Sequence, residues 1–154
     1  MTLGTALGCG LIAGTFFAFS TFVMKALARL PPAEGIRAMQ SINVAVINPR
    51  FLGAFVGTAA ACALLAVLSP MTWTGPGAAL RLVGCVLYLA GCFGVTMAFN
   101  VPRNDALAKL QPDAVEAAAG WARYVAGWTA WNHVRTAAAL AAAALLGAGA
   151  RGAP

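Results

Sequence analysis

The sequence predicts an all-α protein: a four-transmembrane-helix bundle, with short helices in loops one and three on the cytoplasmic side. Three observations carry this. Hydrophobic residues make up 61% of the 154 residues and charged residues 9%, against about 25% charged in soluble domains. The few charges bracket long charge-free runs, and no stretch alternates as a strand does. A chain this poor in polar surface needs lipid as part of its solvent.

The charge-free runs mark the spans. None of the residues from Met1 to Met24 is charged, none between Arg50 and Arg81, and none between Arg81 and Arg103. From Tyr124 to Ala150 the single charge is Arg135. A span needs roughly 20 apolar residues, so helices are expected over 4–27, 49–69, 78–100 and 113–149. Ser69-Pro70 and Gly75-Pro76-Gly77 separate the second from the third. One domain, 1–154, accounts for the whole. Ala26-Leu27-Ala28 resembles a signal-peptide cleavage site, but no basic residue precedes the apolar run, so a retained first helix is expected.

Basic residues set the expected orientation. Lys25, Arg29, Arg37 and Arg50 lie in loop one and Arg103, Lys109 and Arg123 in loop three, with Arg81 and Arg151 on the other side. Loops one and three are therefore placed in the cytoplasm and both termini outside, with the plasma membrane as the expected location. The net charge of +6 reads as a topology signal, with no nucleic acid partner. Cys9, Cys62, Cys85 and Cys92 fall inside spans at spacings unlike zinc or disulfide frameworks, and are expected to pack as small apolar residues.

Gly4, Gly8, Gly10 and Gly14 give the first helix two small-xxx-small pairs, suited to contact within the bundle or to a homo-oligomer. After Leu30-Pro31-Pro32 a short helix is expected over roughly 33–47, with Gln40, Asn43 and Ile47 on one face. Asn48-Pro49 then opens the second span, Asn48 serving either as its cap or as a polar site residue. Pro102 is expected to interrupt the third span, with Asn100, Arg103, Asn104 and Asp105 around the break and a short helix ending near Leu110. The last helix would run from Pro112-Asp113 to Gly149, its first turns projecting from the membrane.

That last helix holds the candidate chemistry. At about 100° per residue, Trp121, Tyr124, Trp128, Trp131, Asn132 and Arg135 fall within roughly one-third of its circumference. Aromatic stripes usually pack or anchor at the interface; Asn132 and Arg135 inside the stripe ask for more. His133, the chain's one histidine, points roughly 160° away in a regular helix. Arg135 either snorkels to the surface or lines a polar pocket with Gln40, Asn43, Asn48, Arg50, Asn100, Arg103 and Asn104, which are expected at the same end of the bundle. His133 reaches that pocket only if the helix departs from ideal geometry.

One histidine excludes a two-histidine-one-carboxylate iron site within one chain. Glu34, Asp105, Asp113 and Glu116 all lie outside the spans, which excludes a carboxylate-bridged dimetal core. No nucleotide fingerprint or nucleophile elbow is present. What remains is an imidazole among amides, indoles and a guanidinium, a set able to remove a proton and hold an organic anion. Axial ligation of haem is the other use of a lone histidine.

Three segments resemble the anthrone-oxygenase-like family of small membrane proteins: "FFAFSTFVMKALARLPPAEGIRAMQSINVAVINPRF" at 16–51, "NVPRNDALAKL" at 100–110 and "WARYVAGWTAWNHVRTAAALAAA" at 121–143. Arg103, after Asn-Val-Pro, departs from the apolar residue expected there. The resemblance implies a four-helix membrane protein that oxidises an anthrone or another polycyclic phenol with O2, with no cofactor predicted. By carry-over His133 would be the base, and Asn132 and Arg135 would stabilise the enolate or peroxide. Tyr124, Trp128 and Trp131 would stack on the rings, with Gln40, Asn43, Asn48 and Asn100 completing the lining. Two alternatives stay open: a haem- or metal-dependent redox protein using His133, and a non-catalytic assembly or carrier protein in which the polar cluster is interhelical glue.

Overall fold

A computed structural model describes residues 1–69 and 77–151. They form five helices: α1 (Thr2–Leu27), α2 (Pro32–Ala45), α3 (Pro49–Leu68), α4 (Ala78–Lys109) and α5 (Ala117–Arg151). No strand occurs among the described residues. The break expected around Pro70 and Gly75-Pro76 lies outside them.

Four of the helices, all but α2, are long and apolar enough to cross a membrane. Their outward faces carry Leu3, Leu7, Leu11, Phe17 and Phe22 on α1, Val56, Leu64 and Val67 on α3, and Val83, Val86 and Met97 on α4, all exposed. So continuous an apolar exterior is stable only in hydrocarbon. The chain is an integral membrane protein.

Helix α5 is the central post, with α1 packed along it and α4 on another side; α3 closes against α1 and α4. Close approach depends on small residues. A β-carbon at Gly8 would run into Thr58 Oγ1, and one at Gly91 would lie 2.6 Å from the Ala138 β-carbon. Gly8 is thus used inside the bundle, whereas a β-carbon at Gly4, Gly10 or Gly14 would meet nothing. The four cysteines are fully buried beside Ile12, Phe16, Phe55 and Tyr88, as free thiols filling small gaps. The Tyr88 hydroxyl donates to the Phe55 carbonyl at 3.1 Å, so its burial leaves no orphan.

Loop one folds as α2, started by Pro32 in its first turn with Glu34 near its positive end. Asn48 then caps α3, its Oδ1 accepting from the amides of Arg50 (3.1 Å) and Phe51 (3.0 Å).

Two expectations are corrected. Pro102 does not break the third span, and loop three has no separate helix: α4 runs unbroken to Lys109. Wide π-helical turns over Leu87–Gly94 and Thr96–Asn100 precede the proline. They change the local register, so the ring and missing N–H at 102 do not end the helix. The last helix starts at Ala117, not Asp113. Residues 111–116 form tight turns instead, and Asp113 Oδ2 accepts from Arg37 Nη2 of α2 at 2.5 Å. At 35 residues α5 is about 52 Å long, so one end projects beyond a bilayer core as expected.

Candidate functional site

The inward stripe of α5 reads Trp121, Tyr124, Trp128, Asn132, Arg135, Ala139, Ala142 and Leu146, each buried. Its polar members meet two other helices. Asn132 has no exposed surface. Its Nδ2 donates to the Phe16 carbonyl and to Ser20 Oγ on α1, both at 2.7 Å, and its Oδ1 accepts from Arg135 Nη2 at 2.6 Å. Ser20 lies in a π-helical turn (Phe19–Val23), and its hydroxyl also meets Thr136 Oγ1 at 3.2 Å.

Arg135 is 4% exposed and turned inward, so it does not snorkel. Its guanidinium lies 4.0 Å from the Phe16 ring centroid and 5.0 Å from that of Trp128. Nη1 donates to Thr96 Oγ1 on α4 at 3.2 Å. It pairs with no carboxylate among the described residues, and the chain's four carboxylates are all exposed. Desolvated cation–π contacts are worth about 2 kcal/mol, which offsets part of the insertion cost of about 2.5–3.5 kcal/mol for a central arginine. Arg135 Nε finds no partner among the described residues.

The same region holds other orphans. Trp128 Nε1, Trp121 Nε1, Asn43 Nδ2 and Asn100 Oδ1 are buried without partners among the described residues. Asn100 is held by its Nδ2, which donates to the Trp128 carbonyl at 3.1 Å. Each such group costs about 1–3 kcal/mol when nothing satisfies it, and they are spread along the aromatic stripe that leads from Trp121 to Arg135. Trp121 and Tyr124 stack at 5.7 Å, Tyr124 and Trp128 at 6.3 Å, and Phe19 leans on Trp128 at 5.6 Å. Of the partners that α1 and α4 supply, Ser20, Thr96 and Asn100 sit in π-helical turns and Phe16 in regular α-helix. Such turns break the regular ladder and recur at functional sites.

His133 does not join this cluster. Helix α5 is regular there, and His133 shares the outer face with Ala126, Ala130, Ala137 and Leu140, all exposed. The geometric condition for placing it beside Arg135, a local departure from ideal helix, is not met. Two of the expected lining residues are spent elsewhere. Gln40 Nε2 donates to the carbonyls of Leu107 (2.9 Å) and Leu110 (3.1 Å), and Asn48 caps α3. Trp131 stacks on Phe99 at 3.6 Å, to one side of the inward stripe. Asn43 stands beside the Tyr124 hydroxyl, which donates to Asn104 Oδ1 at 2.9 Å. Arg103 donates to the Phe99 carbonyl, and Arg50 is exposed. Among the described residues no three His, Cys, Asp or Glu side chains converge as a metal site.

Three contributors were not anticipated from sequence: Phe16, Ser20 and Thr96. Thr96 is a lone hydroxyl within an apolar run, and Ser20 stands with Thr21 within another. That is a signal only once the facing helix is known.

A family model described as anthrone oxygenase matches residues 50–145, more than half of the chain. The chain belongs to the anthrone oxygenase family. The matched region runs from the start of α3 to near the end of α5, taking in Thr96, Asn100, Trp128, Asn132 and Arg135. Phe16 and Ser20, on which Asn132 is anchored, lie before it. No curated protein and no solved structure matches this anthrone oxygenase family member. Membership supports an oxygenase-like membrane protein of oxidoreductase type; fold and family alone do not name a substrate.

Proposed function

We propose that this protein is a membrane-embedded oxygenase that oxidises an anthrone-like or other polycyclic phenolic substrate with O2, using Arg135 to hold the substrate anion. One observation carries the reading. Arg135 is a buried cation with no carboxylate, set between the Phe16 and Trp128 rings with an unused N–H. A planar enolate supplies both the missing charge and a flat face.

The chemistry asks little of the protein beyond that. The ring methylene loses one proton to water, leaving an enolate whose charge faces the guanidinium. Its carbon bonds to O2, and protonation gives a hydroperoxide. Loss of the second methylene hydrogen with O–O cleavage releases water and leaves a ketone. One anthrone and one O2 thus give one anthraquinone and one water. A guanidinium already in place lowers the cost of the first charge, as preorganised donors do in other oxyanion sites. This reading gives no part to His133 and asks for no organic cofactor.

Asn132 is a positioning residue here. Both its amide hydrogens and its carbonyl are engaged by protein, so it acts on substrate through Arg135. The same saturation favours a second reading, in which the cluster is interhelical glue worth about 0.6–2 kcal/mol per hydrogen bond.

The test is oxygen consumption by purified protein in lipid nanodiscs given an anthrone, with and without a chelator. The oxygenase reading expects one O2 per quinone, above the spontaneous rate and unaltered by the chelator. Uptake no faster than in empty nanodiscs would favour the glue reading.

A further inference from the structure

The ladder of Trp121, Tyr124 and Trp128 is closed off from the surroundings by α2. All three rings are nearly buried, at 4%, 6% and 5% exposure, in a cluster with Ile36 and Met39 of α2, Met24 of α1 and Leu107 of α4. The closure is flush. A β-carbon at Gly35 would lie 2.8 Å from Cε2 and Cζ2 of Trp121.

Beyond that apolar face, with Ile36 and Met39 almost wholly buried, few polar ties hold α2 down. Gln40 Nε2 reaches the two carbonyls at the end of α4, and Arg37 pairs with Asp113 in the turns before α5. That ion pair is exposed, 53% and 76% for the two side chains, and such pairs contribute little. Short segments at both ends, 28–31 and 46–48, join α2 to α1 and α3. Its upper side, with Glu34, Arg37, Ser41 and Val44, faces outward. Underneath, two indole donors, Trp121 Nε1 and Trp128 Nε1, are buried with no acceptor among the described residues.

A cover that served only to fill space would not leave two buried indole donors unpaired. We infer that α2 is a hinged lid. A planar substrate bearing a carbonyl or phenolate oxygen passes beneath it onto the Trp121–Tyr124–Trp128 ladder and on to Arg135, and the latch is Gln40 with the Arg37–Asp113 pair. This rests on the oxygenase reading of the Arg135 site. Lids on other enzymes gate turnover in the same way, by rotation at short end segments.

The lid is tested with an Arg37→Cys/Asp113→Cys protein in nanodiscs, bridged by a short reducible bis-methanethiosulfonate. The native cysteines are fully buried and do not compete for a polar reagent. Bridging is expected to cut anthrone-dependent oxygen uptake about ten-fold or more, with recovery on reduction. Undiminished uptake by fully bridged protein overturns the lid. Acrylamide quenching of tryptophan fluorescence, which needs no turnover, is expected to fall on bridging. If the unbridged protein takes up no oxygen, the oxygenase reading fails, and the quenching decides the lid: an unchanged value overturns it, a fall sustains it.

Discussion

Arg135 Nη2 donates to Asn132 Oδ1 at 2.6 Å, and Asn132 Nδ2 in turn grips the Phe16 carbonyl and Ser20 on α1. The two side chains are therefore one device: α1 orients the amide, and the amide orients the cation.

Coupling between them follows. Asn132→Ala leaves one guanidinium N–H unpaired and removes the donor shared by Ser20 Oγ and the Phe16 carbonyl, which keeps the Phe19 amide, and should destabilise the protein by about 2 kcal/mol. It should also lower turnover, because Arg135 loses its orientation. A double-mutant cycle with Arg135→Met, read by denaturant unfolding and by oxygen uptake, should be clearly non-additive. Additive losses would mean that the two act separately.

Arginine and lysine should not interchange at 135. The guanidinium forks between Asn132 and Thr96 while lying over two rings, and an ammonium cannot do all of this at once. Arg135→Lys should cost about 100-fold in kcat/KM, the usual scale for one oxyanion donor. Near-normal kcat/KM in this variant would show that charge alone suffices.

Small-residue packing makes its own prediction. Gly91→Val would drive a side chain into Ala138, where a β-carbon already lies at 2.6 Å. Separation of α4 from α5 should cost about 1–3 kcal/mol in an unfolding assay. Asn48→Ala should cost about 1 kcal/mol through the lost cap, with kcat unchanged if capping is its whole role.

The four spans were legible because hydrocarbon imposes a length and forbids charge, and both constraints are written locally. The inward stripe of α5 was legible for the same reason: its period needs only one helix. Pro102 misled because the π-helical turns that precede it, packed against α5, carry no local sequence mark. Ser20, Thr96 and Phe16 were invisible because their meaning is long-range; each is an ordinary residue until Asn132 or Arg135 is placed opposite. His133 shows the converse. Its chemistry is the more conspicuous, yet the helical angle that separates it from the aromatic stripe was readable from sequence, and the structure keeps that angle.

That angle gives the most direct measurement of the central claim, that the chemistry sits on the inner face of α5 at Arg135. Anthrone-dependent oxygen uptake should be compared for wild type, Arg135→Met and His133→Ala, each in nanodiscs and each shown to be folded. The account predicts a loss of about 100-fold or more for Arg135→Met, and turnover within about two-fold of wild type for His133→Ala, which touches no part of the cluster. Full activity in Arg135→Met, or its loss in a folded His133→Ala protein, would contradict it.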